Sequence, residues 1–182
     1  MVWAMSEAKS RAIFRRMDHY ELSLCLLLNR TCRRHDIERL FVWVSRLGDG
    51  VFWYALVVAL PFLFGWRAVD TSLRMAGVGA AGVLLYKALK VTMVRQRPFI
   101  THAAIRHGTP PLDYYSFPSG HTLHAFGFSV VAISHYPVLG WVLVPFTLLV
   151  ALSRVVLGLH YPSDVFAGAM IGTLLAQIAL TA

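Results

Sequence analysis

The sequence predicts an all-α fold: a polytopic membrane helical bundle of about five transmembrane helices, preceded by an N-terminal amphipathic interfacial helix. Three observations predict it. Only 14% of the 182 residues are charged while 57% are hydrophobic, and mean hydropathy is +0.60, the balance of a multi-pass membrane protein. Apolar runs recur from Val51 to the C-terminus. Charged and turn-forming residues gather at the ends of those runs rather than inside them.

Each element can be justified in order. Basic residues from Lys9 to Arg16 open an amphipathic start. The dense apolar stretch over 20–29 is too short to span a bilayer, which needs about 20 apolar residues, and suits a helix lying in the interface. No small-residue cleavage site follows it, so the segment reads as retained. After the charged stretch Arg30–Arg39, residues 40–47 lead through Gly48-Asp49-Gly50 into a first crossing over Val51–Trp66. Pro61 within it is a candidate kink, which spans tolerate better than soluble helices do.

A second crossing runs from about Leu73 to Leu89, and a polar connection follows over Phe99–Phe117. The third crossing begins at Ser119 and ends near Pro137, the fourth covers Val138–Val156, and the fifth runs from Asp164 to about Leu180. Short turns imply antiparallel neighbours. Alternating direction then brings the end of the second crossing, the start of the third, the end of the fourth and the start of the fifth to one membrane face.

Those four ends carry the chemistry. Lys90 and Arg97-Pro98 close the second crossing, Pro118-Ser119-Gly120-His121 opens the third, and Ser153-Arg154 with His160 and Asp164 joins the fourth to the fifth. Cations beside spans are costly, and a group of them is by default a functional site. Ser119 is placed to cap a helix whose free N–H groups and dipole favour an anion, and Gly120 lets that anion approach the backbone. A plain helix cap is the structural alternative for this cluster. Arg154 offers a planar fork that matches phosphate oxygens. His160 and Asp164 are four apart and share a face in a helix-like turn, so the carboxylate can orient the imidazole. A simple cap of the fifth helix by Asp164 is the alternative there. Lys87, Lys90, Arg95 and Arg97 could all be residues snorkelling from a helix end, the reading preferred for Lys87 and Arg95.

Taken together, Lys90-x6-Arg97-Pro98, Pro118-Ser119-Gly120-His121 and Ser153-Arg154-x5-His160-x3-Asp164 resemble the three-part signature of the type 2 phosphatidic acid phosphatase superfamily, with every signature position filled. The resemblance implies a single integral membrane phosphatase domain over 1–182, with 1–47 a basic amphipathic segment and 51–182 the transmembrane catalytic bundle. It implies a metal-independent lipid phosphatase working through a phosphohistidine. His160 would be the nucleophile, Asp164 would orient it and His121 would protonate the leaving oxygen. Lys90, Arg97, Ser119, Gly120 and Arg154 would bind the phosphate.

No cofactor is implied, and no carboxylate cluster suited to a divalent ion lies near the motifs. Phosphoryl transfer asks for positioning and for stabilisation of equatorial charge, which three cations and a helix terminus can supply. The small size resembles bacterial undecaprenyl pyrophosphate phosphatases, so a polyprenyl pyrophosphate is the expected substrate. Phosphatidylglycerophosphate, phosphatidate and lipid A phosphates stay as alternatives, as do a lipid phosphotransferase and a noncatalytic anionic-lipid-binding protein.

The expected partners are the lipid bilayer and a lipid phosphate within it. The net charge of +8 sits beside spans, where it meets anionic lipid or phosphate, and no nucleic-acid motif accompanies it. The expected location is the cell inner (cytoplasmic) membrane, multi-pass. The resemblance puts the catalytic face on the extracytoplasmic side, while the basic residues from Lys9 to Arg46 pull towards the cytoplasm.

Other patterns have plainer readings. Gly77-x-Gly79-x-x-Gly82 satisfies the letter of a dinucleotide fingerprint but follows no strand, and reads as close helix packing. Gly168-x-x-x-Gly172 reads as a packing face within the bundle or between subunits of a homo-oligomer. His102 and His107 lie in the connection that could cover the site, and His124 is one turn beyond His121. Cys25 and Cys32 have no metal-like or redox spacing.

Overall fold

The computed structural model describes residues 17–110 and 113–182, and every regular element among them is helical. The basic start Lys9–Arg16 and one of the paired prolines, Pro111, lie outside the described residues. In chain order the helices are α1 (17–29), α2 (His35–Arg46), α3 (Phe52–Phe64), α4 (Ala68–Thr92), the single turn α5 (Pro98–Thr101), α6 (Gly120–His135), α7 (Gly140–Val156) and α8 (Pro162–Thr181).

Four helices among the described residues are long and apolar enough to cross a membrane: His35–Phe64, Ala68–Thr92, Pro137–Val156 and Pro162–Thr181. The protein is therefore a multi-pass membrane protein. The first of these joins α2 and α3 across a break and extends the expected crossing back to His35. Helical geometry is interrupted at the α2–α3 joint, where Asp49 (φ −82°, ψ 17°) and Gly50 (φ +125°) leave it. Pro61 has no N–H to offer the Val57 carbonyl one turn earlier. The Ser72 hydroxyl on α4 donates to that carbonyl instead, at 2.7 Å, so the helix continues.

The remaining expected crossing, α6, has only 16 residues, about 24 Å at 1.5 Å per residue. It is also the most enclosed helix, packed on α4, α7 and α8, with Leu123, Ala125, Val131 and Ala132 fully buried. At its far end Tyr136 stacks on Phe64 at 4.1 Å, so α6 traverses the bundle from the cluster-bearing end to the opposite one.

Small residues allow α8 to lie against α6. Gly168 and Gly172 are buried, and a Cβ at either would overlap α6 backbone near Ser119 and Leu123. This glycine pair is therefore a packing face within the chain. At the end away from the clusters, Trp66 and Trp141 are 86% and 87% exposed, as expected of aromatic anchors at a membrane boundary. α1 packs on the cluster-bearing end through Cys25, Leu22 and Leu26, while Tyr20 and Leu27 on its other face are exposed, as an interfacial helix requires.

Candidate active site

The alternation of helices gathers the three clusters around one cavity of about 440 Å³, whose polar end is lined by Lys90, Arg97, His121, Arg154 and His160. Its apolar lining includes Val57 on α3 and Ala76, Gly79, Ala80 and Val83 on α4. The glycine-rich stretch thus splits its roles. Gly82 abuts Leu123 and His124, while Gly79 opens onto the cavity.

The turn after α7 places His160. Gly158 adopts a left-handed conformation (φ +71°) that favours glycine, and the His160 N–H then returns to the Arg154 carbonyl at 3.1 Å. The ring is buried. Its Nε2 lies 3.3 Å from Arg97 Nη1, and its Nδ1 lies 3.4 Å from Ser116 Oγ. Ser116 in turn donates to Asp164 Oδ2. Such a chain fits an Nδ1–H donating to Ser116, which leaves the Nε2 lone pair facing the cations. Burial, with Arg97, Arg154 and Lys90 next in order, holds the His160 imidazole well below its ordinary value of 6.5.

Asp164 differs from the expectation that it would bond His160 directly, since 3.7 Å separates its Oδ2 from Nδ1. Two other donors claim the same oxygen: the Ser116 hydroxyl and the Tyr161 N–H at 2.8 Å. Arg95 Nη1 binds Oδ1 at 2.5 Å. Asp164 therefore caps α8 and faces the imidazole through Ser116.

Arg95 is a second correction. Far from snorkelling, it is 1% exposed. It pairs with Asp164, with Asp18 at 2.6 Å and with Glu21 at 2.9 Å, and lies over the Tyr161 ring at 4.1 Å. Helix α4 stops at Thr92, and Arg97, directly before Pro98, is extended, as the residue preceding a proline favours. Arg95 and Arg97 then lie two apart on a non-helical segment and both turn into the protein. Lys87, still on the helix, is exposed as expected.

Lys90 and Arg97 converge on an oxygen that the sequence reading passed over. Asp113 Oδ1 lies 2.5 Å from Lys90 Nζ and 2.7 Å from Arg97 Nη2. Arg97 also donates to the Leu159 carbonyl at 2.8 Å and to the Asp113 carbonyl at 3.1 Å. Arg154 donates from Nη1 to Ser45, while its buried Nε has no hydrogen-bond partner among the described residues. A buried N–H left unpaired at a cavity wall fits an anion.

The opening of α6 is only partly as expected. Gly120 and His121 line the cavity, and His121 Nε2 lies 3.3 Å from Asp49 Oδ1. Ser119 is the N-cap residue, but its side chain makes no cap hydrogen bond and pairs with Thr122 Oγ1 at 2.9 Å. Fully buried, it does not line the cavity. Its N–H ties α6 to the Asp164 carbonyl at 3.0 Å. His124 bridges helices, with Nδ1 2.9 Å from the Gly120 carbonyl and Nε2 3.2 Å from that of Gly79. His102 and His107 are not in the cavity wall, and His107 packs on Phe99 at 4.8 Å. Among the described residues no three His, Cys, Asp or Glu side chains stand close enough to share a metal ion.

Residues 71–182 match the model of the PAP2 superfamily. The chain is 32% identical over 123 residues to "Undecaprenyl-diphosphatase BcrC" of Bacillus subtilis (strain 168), an alignment covering 67% of this chain but 63% of that protein, so it spans under two thirds of this relative's length. It is 30% identical over 162 residues to "Phosphatidylglycerophosphatase B" of the same organism, across 79% of this chain and 73% of the other. The crystal structure of Aquifex aeolicus LpxE superposes with a TM-score of 0.75 at 31% identity, covering 88% of this chain and 94% of that one. With the motifs assembled in one cavity and more than half its length matched, this chain belongs to the PAP2 superfamily.

Proposed function

We propose that the protein is a membrane lipid phosphatase that needs no metal and acts on a polyprenyl pyrophosphate through a phosphohistidine at His160. One observation carries this reading: Lys90, Arg97, Arg154 and His160 meet at the polar end of a cavity whose other wall is apolar. The phosphate would sit among the cations, with the Arg154 Nε, unpaired among the described residues, and the first turn of α6 as further donors. The lipid chain would lie along Val57, Ala76, Gly79 and Ala80.

His160 Nε2 attacks phosphorus as the bond to the leaving oxygen breaks, and that oxygen takes a proton from His121. Water then attacks the phosphohistidine, His121 accepts its proton, and phosphate leaves. Arg97, Lys90 and Arg154 balance the charge spread over the equatorial oxygens. The names of the relatives, an undecaprenyl-diphosphatase and a phosphatidylglycerophosphatase, support a lipid diphosphate or monophosphate.

The test is phosphate release by purified protein in detergent with EDTA. The substrates are undecaprenyl pyrophosphate, phosphatidylglycerophosphate, phosphatidate and lipid A, beside His160→Ala. Turnover highest on undecaprenyl pyrophosphate and lost in the variant is expected. Dependence on added magnesium, or equal turnover by the variant, contradicts the mechanism.

On the family resemblance we place the site on the outer face of the cytoplasmic membrane. A cysteine at exposed position His107 should then react with an impermeant maleimide in intact cells. Protection until lysis would put the site in the cytoplasm.

A further inference from the structure

An ionisable side chain facing the site of a membrane protein is a functional candidate by default. Asp49 lies at the break between α2 and α3 and lines the cavity, and the proposed mechanism gives it no role. The backbone around it is held in place on several sides. Gly50 adopts φ +125°, which only glycine takes without strain. The Trp53 indole donates back to the Gly48 carbonyl at 3.2 Å, and Gly48 lies close against Val150 of α7. This break in the helix puts Asp49 in the cavity wall, with Oδ1 3.3 Å from His121 Nε2.

The other charged and titratable groups around that cavity matter to His121. Tyr54 comes from α3, Lys90 and Tyr86 from α4, His124 from its own helix, Arg154 from α7, and Arg97 and His160 from the loops. Those that are cations disfavour a protonated imidazole. Of the two carboxylates in the wall, Asp113 is taken up by Lys90 and Arg97, whereas Asp49 faces His121. A proton donor placed among cations needs such a neighbour to stay charged until its proton is used.

We infer that Asp49 is the positioning residue for the proton donor, its carboxylate holding His121 protonated and oriented towards the leaving oxygen. This rests on the proposed role of His121. As the Nε2–phosphorus bond of His160 forms, the electron pair of the breaking phosphorus–oxygen bond stays on the leaving oxygen, which takes the His121 proton. Asp49 keeps its charge throughout. In the second half-reaction the same carboxylate favours return of a proton from water to His121.

Leaving groups that differ in their need for a proton test this. An alkyl lipid phosphate needs one, while 4-nitrophenolate leaves unprotonated near neutral pH. For Asp49→Asn, kcat on the lipid phosphate should fall by about 10- to 100-fold, part of the range for general-acid catalysis. On 4-nitrophenyl phosphate, phosphorylation of the enzyme, read as the pre-steady-state burst of nitrophenolate, should stay within about threefold, the same margin being far below that range. The alkaline limb of the lipid pH profile should move to lower pH, because His121 loses the anion that keeps it charged. Asp49→Glu should recover most of the rate and the limb.

Equal loss of both activities in Asp49→Asn, or no loss in either, overturns the inference and leaves the His121 assignment standing. His121→Asn distinguishes the deeper failure: equal loss of both activities in that variant removes the proton-donor role and this inference with it. Should Asp49→Asn not fold, Asp49→Ala is read by the same comparison, and equal loss of both activities, or loss of neither, in that variant overturns the inference.

Discussion

The Asp113 carboxylate lies 2.7 Å from the Arg97 guanidinium and occupies, together with Lys90, donors that the proposed mechanism reserves for phosphate. The two anions cannot share those donors without repulsion. Asp113→Asn keeps the shape and the backbone carbonyl that Arg97 uses but removes the charge. Inhibition by inorganic phosphate should tighten about fivefold, matching ~1 kcal/mol for a partly exposed ion pair. The inhibition constant measures it, and weaker inhibition would show that Asp113 helps to bind phosphate.

Arg95 is enclosed by Asp18, Glu21 and Asp164, so its removal leaves a buried carboxylate without its cation. Arg95→Met should lower stability by about 3–5 kcal/mol, the usual cost of breaking a buried pair from one side. Thermal unfolding in detergent reads this. Arg95→Lys should recover only part, because one ammonium cannot reproduce the planar fork.

The low position of the His160 imidazole has a sign in both activity and stability. Attack needs the neutral ring, so activity governed by His160 should persist below pH 6.5 and be lost as pH falls through the lowered value. The unfolded chain takes up this proton first. Stability from His160 is therefore complete above about 6.5 and declines between 6.5 and the lowered folded value. Burial is the largest cause and Arg97 the next. Arg97→Gln should move the acid limb of kcat/KM upwards, and an unmoved limb would assign that limb to another group.

Much of this site was legible in the sequence because alternating spans dictate which ends meet. Lys90, Arg97, His121, Arg154 and His160 all reach one cavity, as counting crossings predicts. What escaped were partners supplied from afar. Ser116 approaches Asp164 from 48 positions away, and Arg95 does so from 69, distances at which no periodic pattern operates. Asp49 stood in a visible Gly-Asp-Gly turn, but only the break in the helix reveals that the turn faces inwards. Ser119 misled because a sound capping residue can spend its hydroxyl elsewhere, here on Thr122.

The apolar wall makes a separate prediction about tails. Ala80→Phe should obstruct the cavity beside Gly79 and Val83 without touching the cations. Turnover of a long-chain lipid phosphate should fall about tenfold, ~1.4 kcal/mol, while 4-nitrophenyl phosphate should be hydrolysed as before. Equal loss on both substrates would move the lipid chain out of this groove.

The central claim is that phosphate passes through His160. The most direct measurement is peptide mass analysis of protein quenched in alkali during turnover, where phosphohistidine survives. His121→Ala with 4-nitrophenyl phosphate is the best variant, since the enzyme can be phosphorylated while its hydrolysis is slowed. The account predicts phosphate on the peptide containing His160 and none in His160→Ala. Phosphate on another residue, or full turnover by His160→Ala, would contradict it.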